Sequence, residues 1–206
     1  MGNIVISLQD LEKFCLEEVS RLDAAGRKYT ASIVDPPPDG IRSDYRLDDE
    51  QIRQSSITLL ARDRLSQEAL GISTLIYIDD GLADYLPILR LEDGNLFSDG
   101  VRSVIGLPAI MIGYTEFFAQ SLPTRVALTR WYLALLKRCL ELDVELFIEI
   151  TGIYEGSEIT DLGSLLGKVR PESRAVLSLA RHFDMQLIEG YYEWNSFGPL
   201  YRKARL

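Results

Sequence analysis

The sequence predicts an α+β fold, a mixed central sheet flanked by helices, and three observations carry that prediction. The stretch AIMIGYTEFFAQ, SLPTRVALTRWYLALLKRCLELD, VELFIEIT (residues 109–151) reads as a strand, a turn holding Ser121 and Pro123, a helix of about five turns and a second buried strand, which is a βαβ unit. Two β-rich runs lie upstream of it and an aromatic-rich hairpin closes the chain downstream. With 206 residues, 47% of them hydrophobic, the chain can bury one sizeable core. A single domain over residues 1–206 is expected, with residues 1–56 as an N-terminal elaboration.

The elements follow in order. SLQDLEKFCLEEVSRLDAAG starts on Ser7 as a helix cap, sets Leu8, Leu11, Phe14, Cys15, Val19 and Leu22 on one face, and meets a stop signal at Gly26. ASIVDPPPDGIRSDYRLDDE, with three consecutive prolines and a run of acids, predicts an extended surface loop. After a short helix around Glu50 to Gln54, ITLLARD and LGISTLIYID predict an antiparallel hairpin across RLSQEA. YLPILRLED predicts a strand, with Pro87 suited to its start or to an edge, and DGNLFSDG a turn-rich link. VRSVIGLPAIMIGYTEFFAQ predicts strand interrupted near Gly106 to Pro108. Past the βαβ unit, TGIYEGSEITDLGSLLGKV reads as loop, PESRAVLSLARHFD as a short helix beginning near Pro171, and MQLIEGYYEWN with GPLYRKAR as the terminal hairpin.

Composition excludes several classes. A net charge of −9 opposes sequence-independent binding of nucleic acid, which depends on lysine and arginine neutralising phosphates. No apolar run approaches the ~18 residues that cross a bilayer, and the N-terminus lacks the basic and apolar regions of a signal peptide, so a cytoplasmic protein is expected. Cys15 and Cys139 fall on apolar helix faces and read as buried thiols, and one histidine cannot complete a metal site with them.

The crossover helix places its first turn at the carboxyl end of the preceding strand, where unpaired N–H groups suit an anionic ligand. Thr124 and Arg125 sit in that turn, although capping alone explains a threonine there and the helix dipole disfavours an arginine. The turn has none of the glycines that dinucleotide or P-loop sites need for close backbone approach.

From about Ile57 to the C-terminus, the order of elements resembles the GNAT (Gcn5-related N-acetyltransferase) superfamily. GYTEFFAQSLPTRVALTRWYLALLKRCLELDVELFIEIT is similar to its central strand–loop–helix–strand segment, and PESRAVLSLARHFDMQLIEGYYEWN to the segment after it. The family's pyrophosphate loop, Gln/Arg-x-x-Gly-x-Gly/Ala, is here Gln120-Ser121-Leu122-Pro123-Thr124-Arg125-Val126-Ala127, without glycine. Where the family often carries a tyrosine acid on the later helix, this chain has Ser178 and Leu179. YTEFF is similar to the acid position of the autoinducer-synthase and N-acyl amino acid synthase branch, although Phe117 and Phe118 do not match the arginine that follows it there.

The resemblance implies transfer of an acyl group from acetyl-CoA or another acyl thioester, or from acyl carrier protein, to a small-molecule amine or peptide acceptor, without a metal. It places the donor against Ser121, Thr124, Arg125, Val126 and Ala127. The alternative is a catalytically silent GNAT-like domain that binds a small molecule or protein partner, with a homodimer through the edge of the YYEWN hairpin as one form.

N-acyl transfer needs a base for the attacking ammonium. Glu116, flanked by Tyr114, Phe117 and Phe118 near a strand end, is expected to be buried and to have its pKa raised by desolvation; a strand-end glutamate facing water or an arginine is the plainer reading. His182 near a helix end is explained by the terminal carbonyls. Tyr191, Tyr192, Trp194 and Tyr201 suit sheet packing or an acceptor pocket, and Asp44, Asp48, Asp49 and Glu50 a solvated acidic loop or a cation-gathering one.

Overall fold

The computed structural model describes residues 6–24, 28–92, 95–103, 105–149, 174–193 and 199–203. It has the expected α+β architecture, a mixed sheet with flanking helices. Its contacts divide the chain into two compact units, residues 1–77 with 112–143 and 206, and residues 78–111 with 144–205. One unfolding transition in calorimetry would support the single domain expected from the chain's length, and two would divide it.

The first unit begins with helix α1 (Leu8–Ala24). Ser7 caps it, since its hydroxyl accepts from the amide of Asp10 at 3.2 Å while the Asp10 carboxylate accepts from the Ser7 amide at 2.9 Å. Leu11, Phe14, Cys15, Val19 and Leu22 are buried along the face that the sequence assigns to the core. Strand β1 (Tyr29–Val34) follows, and it corrects the loop expected there: the prolines begin only at Pro36, and YTASIV is free to pair antiparallel with β2 (Ser56–Asp63) along its whole length. The short helix α2 (Glu50–Gln54) has Asp49 as its cap. β2 then forms the expected hairpin with β3 (Ala69–Ile78).

β6 (Ala109–Phe117) lies next to β3, and α4 (Leu122–Cys139) follows it. Helix periodicity gives α4 two working faces. Leu128, Tyr132, Leu135, Leu136 and Cys139 are buried on one. Gly71 of β3 is required by close approach, because a Cβ there would lie 2.4 Å from Cδ1 of Phe117 and 2.9 Å from the carbonyl oxygen of Glu116. Gly71→Ala is expected to destabilise the chain by about 1–3 kcal/mol through overpacking, measured by urea denaturation.

The second unit contains α3 (Asp80–Tyr85), β4 (Pro87–Glu92), β5 (Asn95–Gly100), β7 (Glu145–Glu149), α5 (Arg174–His182), β8 (Gln186–Glu193) and β9 (Pro199–Lys203). Its strands are ordered β6-β7-β9-β8-β4-β5 from the start of β6. β7 follows the start of β6 in that order. Two expectations change here. α3, capped by Asp79 through the amide of Leu82, was not foreseen, and DGNLFSDG is mostly strand, because β5 pairs with β4 from Asn95 to Gly100. Pro87 opens β4, as its missing N–H favours. The terminal hairpin is present as β8 and β9. The loop predicted over residues 151–169 lies outside the described residues.

Candidate functional site

Strand alternation sorts the end of β6. Thr115 and Phe117 turn toward α4. The Ser73 hydroxyl donates to the Tyr132 hydroxyl at 2.6 Å and lies 2.8 Å from that of Thr115, and Phe117 meets the Tyr132 ring edge-on at 5.9 Å. This buried hydroxyl cluster fixes α4 against β3 and β6, and with it the position of the first turn of α4. Burial pushes the Tyr132 hydroxyl well above its usual range, against the hydrogen bonds from Ser73 and Thr115. Tyr132→Phe removes the buried acceptor of the Ser73 hydroxyl, leaving Ser73 with Thr115 alone, and is expected to cost about 1–3 kcal/mol, measured as a lowered denaturation midpoint with unchanged slope.

Tyr114 and Glu116 belong to a different environment. Glu116 is exposed, which corrects the burial expected for it, and its carboxylate accepts from the Tyr114 hydroxyl. Two aromatic neighbours in sequence do not enclose a side chain when the strand alternates, since Phe117 points the other way. Partial burial, with the Glu116 bond and charge, raises the Tyr114 hydroxyl to about 12. The guanidinium of Arg42 lies over the Tyr114 ring, 5.3 Å from its centre.

Tyr114 is held from behind by a buried ion pair. Its amide donates to Oδ2 of Asp44 at 2.7 Å, and Asp44 takes both Nε and Nη2 of Arg46, at 2.7 and 2.9 Å. The Asp44 side chain has no exposed surface. Burial pushes its carboxyl upward, but the charge and hydrogen bonds of Arg46, with the amide of Tyr114, outweigh burial and hold it below the usual carboxylate range. Gly113 makes room, because a Cβ there would sit 2.4 Å from Oδ2 of Asp44. The solvated acidic loop expected around this residue is therefore largely engaged: Asp44 is buried with Arg46, Asp49 caps α2, and Glu50 and Asp35 pair with Arg53.

The first turn of α4 stands open. Ser121 is its N-cap with no side-chain cap bond, Pro123 occupies the start, and Leu122 is 64% exposed. Phe118 and Ala119 donate their amides to the carbonyl of Leu70 at 3.0 and 3.1 Å, which steers the chain from β6 into the helix. Beside that turn lies a cleft of about 200 Å³ lined by Lys28, Asp63, Glu68, Ala69, Leu70, Phe118 to Ser121, and Thr124. Asp63 is already engaged, accepting from the amides of Ser66 and Leu65, which hold its carboxyl low.

Of the five residues expected to hold a donor, the structure brings Ser121 and Thr124 to this cleft. Arg125 and Val126 are exposed on the same turn outside its lining. Ala127 faces α1 and lines a separate cleft. Lys28, Asp63 and Glu68 were missed, since nothing in their local sequence ties them to a helix that starts at Leu122, far along the chain from all three. His182 is exposed and meets the Phe183 ring edge-on. The side chains of Tyr191, Tyr192, Trp194 and Tyr201 lie outside the described residues.

Cys15 and Cys139 are buried free thiols, and burial raises Cys15 to about 12 and Cys139 well above its usual range. Such thiols are poor nucleophiles. Among the described residues no group of three or more histidine, cysteine or acidic side chains gathers as a metal site, and no helix is long and apolar enough to cross a membrane.

No protein-family model and no curated protein matches the chain. Among solved structures it is similar to the arginine/ornithine succinyltransferase subunit AI from Pseudomonas aeruginosa, with a TM-score of 0.44 and 13% identity over 98% of this chain and 76% of that one.

Proposed function

We propose that the chain is an acyltransferase of GNAT type that moves an acyl group from acyl-CoA, or from acyl carrier protein, to an amine. The observation that carries this reading is the open first turn of α4, set past the carboxyl end of β6 with its N-cap Ser121 five residues beyond an exposed glutamate, Glu116. In the proposal, Ser121 and Thr124 offer backbone donors to the donor's phosphates, and Arg125 and Val126 of the same turn supply its outer contacts, while Ala127, which faces α1, takes no part. Glu116 takes one proton of the attacking ammonium; the amine nitrogen then bonds to the thioester carbon, the carbon–sulfur bond breaks, and the leaving thiolate takes up the second nitrogen proton and departs as the free thiol. Tyr114, whose hydroxyl rests on Glu116, orients the carboxylate.

Thermal-shift titration with coenzyme A, acetyl-CoA, longer acyl-CoAs and acyl carrier protein tests donor binding. A donor at a hundredfold its dissociation constant should stabilise the fold by ~2.7 kcal/mol. Because Lys28 lines the cleft and Arg125 does not, Lys28→Ala is expected to weaken coenzyme A binding about tenfold and Arg125→Ala less, by calorimetric titration. Equal losses would move the phosphate site outward to Arg125.

A second reading is favoured by Asp63 and Glu68 in the lining, which repel a diphosphate: a silent GNAT-like domain that binds another small molecule or a protein partner. Failure of every thioester to stabilise the chain would select it.

A further inference from the structure

Away from the first turn of α4, that helix and α1 enclose a larger cleft of about 360 Å³. Its charge is opposite to that of the chain as a whole. Glu18 is its one acid, buried and held on two sides, by Arg21 at 2.7 Å and by Arg138, whose guanidinium also lies 5.2 Å from the centre of the Phe14 ring. Arg130 also lines the cleft and has no carboxylate partner among the described residues. In a chain of net charge −9, this groove is locally cationic by more than Glu18 neutralises.

Its walls are apolar and flat. Leu22 of α1 and Ala127, Ala134 and the indole of Trp131 on α4 line it, and the two alanines leave the space that larger side chains would fill. The Nε1 donor of Trp131 is buried with no acceptor, an uncommon state for an indole and one that leaves a donor unspent beside the cleft. A volume near 360 Å³ lies at the lower end of the range for small-molecule sites.

We infer that the α1–α4 cleft binds a small organic carboxylate, its flat apolar body against Trp131, Ala127 and Ala134 and its carboxylate on Arg130, with Arg21 at the rim. A planar carboxylate suits a guanidinium, which meets it through two parallel N–H donors. One unpaired guanidinium matches one negative charge, and beyond it the walls offer a single donor, Nε1 of Trp131, too few for the remaining oxygens of a phosphate. The site is independent of the donor cleft.

Calorimetric titration of the full chain with sodium benzoate tests it, with inorganic phosphate as the second probe. Benzoate is expected to bind saturably, with a dissociation constant on the order of 1 mM or tighter for so small a ligand. Phosphate is expected to bind at least tenfold more weakly. Arg130→Gln, at an exposed position, should keep the fold by circular dichroism and lose benzoate affinity at least tenfold, while Ala134→Leu, filling the cleft without touching its charges, should abolish the binding. Coenzyme A affinity should be unchanged in both variants, so failure here is separable from failure at the donor site. Absence of saturable benzoate binding, equal affinity for phosphate, or unaltered binding in Arg130→Gln would overturn the inference.

Discussion

Replacing Asp44 with alanine should lower the unfolding free energy by about 3–5 kcal/mol, the cost of removing one partner from a buried ion pair. The expectation rests on what Asp44 leaves behind: a guanidinium, Arg46, with 11% of its side chain exposed, and the amide of Tyr114, both deprived of this carboxylate. Against a typical total of about 5–15 kcal/mol this is the largest single-residue loss expected in the chain. The control is the double variant Asp44→Ala, Arg46→Met, which removes both charges and should recover much of the loss, as replaced buried pairs generally do. The same pair sets a pH dependence. Since the folded carboxyl titrates below its unfolded value, its stabilisation is fully present above the ordinary carboxylate range and is lost as pH falls through the folded value. Asp44→Ala should therefore flatten the acid limb of the stability curve. A loss below about 1 kcal/mol by urea denaturation would show that the pair is weakly coupled to the fold.

Glu116→Gln should lower kcat by about 10²–10⁴ with little change in donor affinity, because the carboxylate is proposed to move a proton and the amide cannot. Shape and the hydrogen bond from Tyr114 survive the change, so the fold should be intact. The residue is exposed, and its stability effect is expected to stay within about 0.5 kcal/mol. Kinetics with a purified acceptor and direct donor titration check the two halves. Unchanged turnover would remove Glu116 from the chemistry.

Much of the fold was legible because period and punctuation agree in this chain. The stripe from Leu11 to Leu22, the paired β-rich runs and the dense β6–α4–β7 segment each carry a strong period bounded by Ser, Pro or Gly. The errors came where punctuation was over-read. Three prolines at 36–38 obscured YTASIV just before them, and the glycines and aspartates of DGNLFSDG hid a strand whose pairing with β4 is a tertiary event. The site was legible only as a backbone feature. Ser121 and Thr124 follow from where a crossover helix starts, but Lys28, Asp44 and the Ser73–Thr115–Tyr132 cluster come from segments far apart in the chain, and no local pattern joins them. The burial of Glu116 failed for a related reason, because aromatic neighbours in a strand lie on alternate faces.

The central claim, acyl transfer at the end of β6, is tested most directly by incubating the purified chain with acetyl-CoA or longer acyl-CoAs and a panel of small amines and peptides. Free thiol and product mass would be followed together. The account predicts release of coenzyme A thiol matched one for one by an amine heavier by the acyl group, and loss of both in Glu116→Gln. Thiol release with no acylated amine, or no reaction from a chain that also fails to bind any thioester, would contradict it.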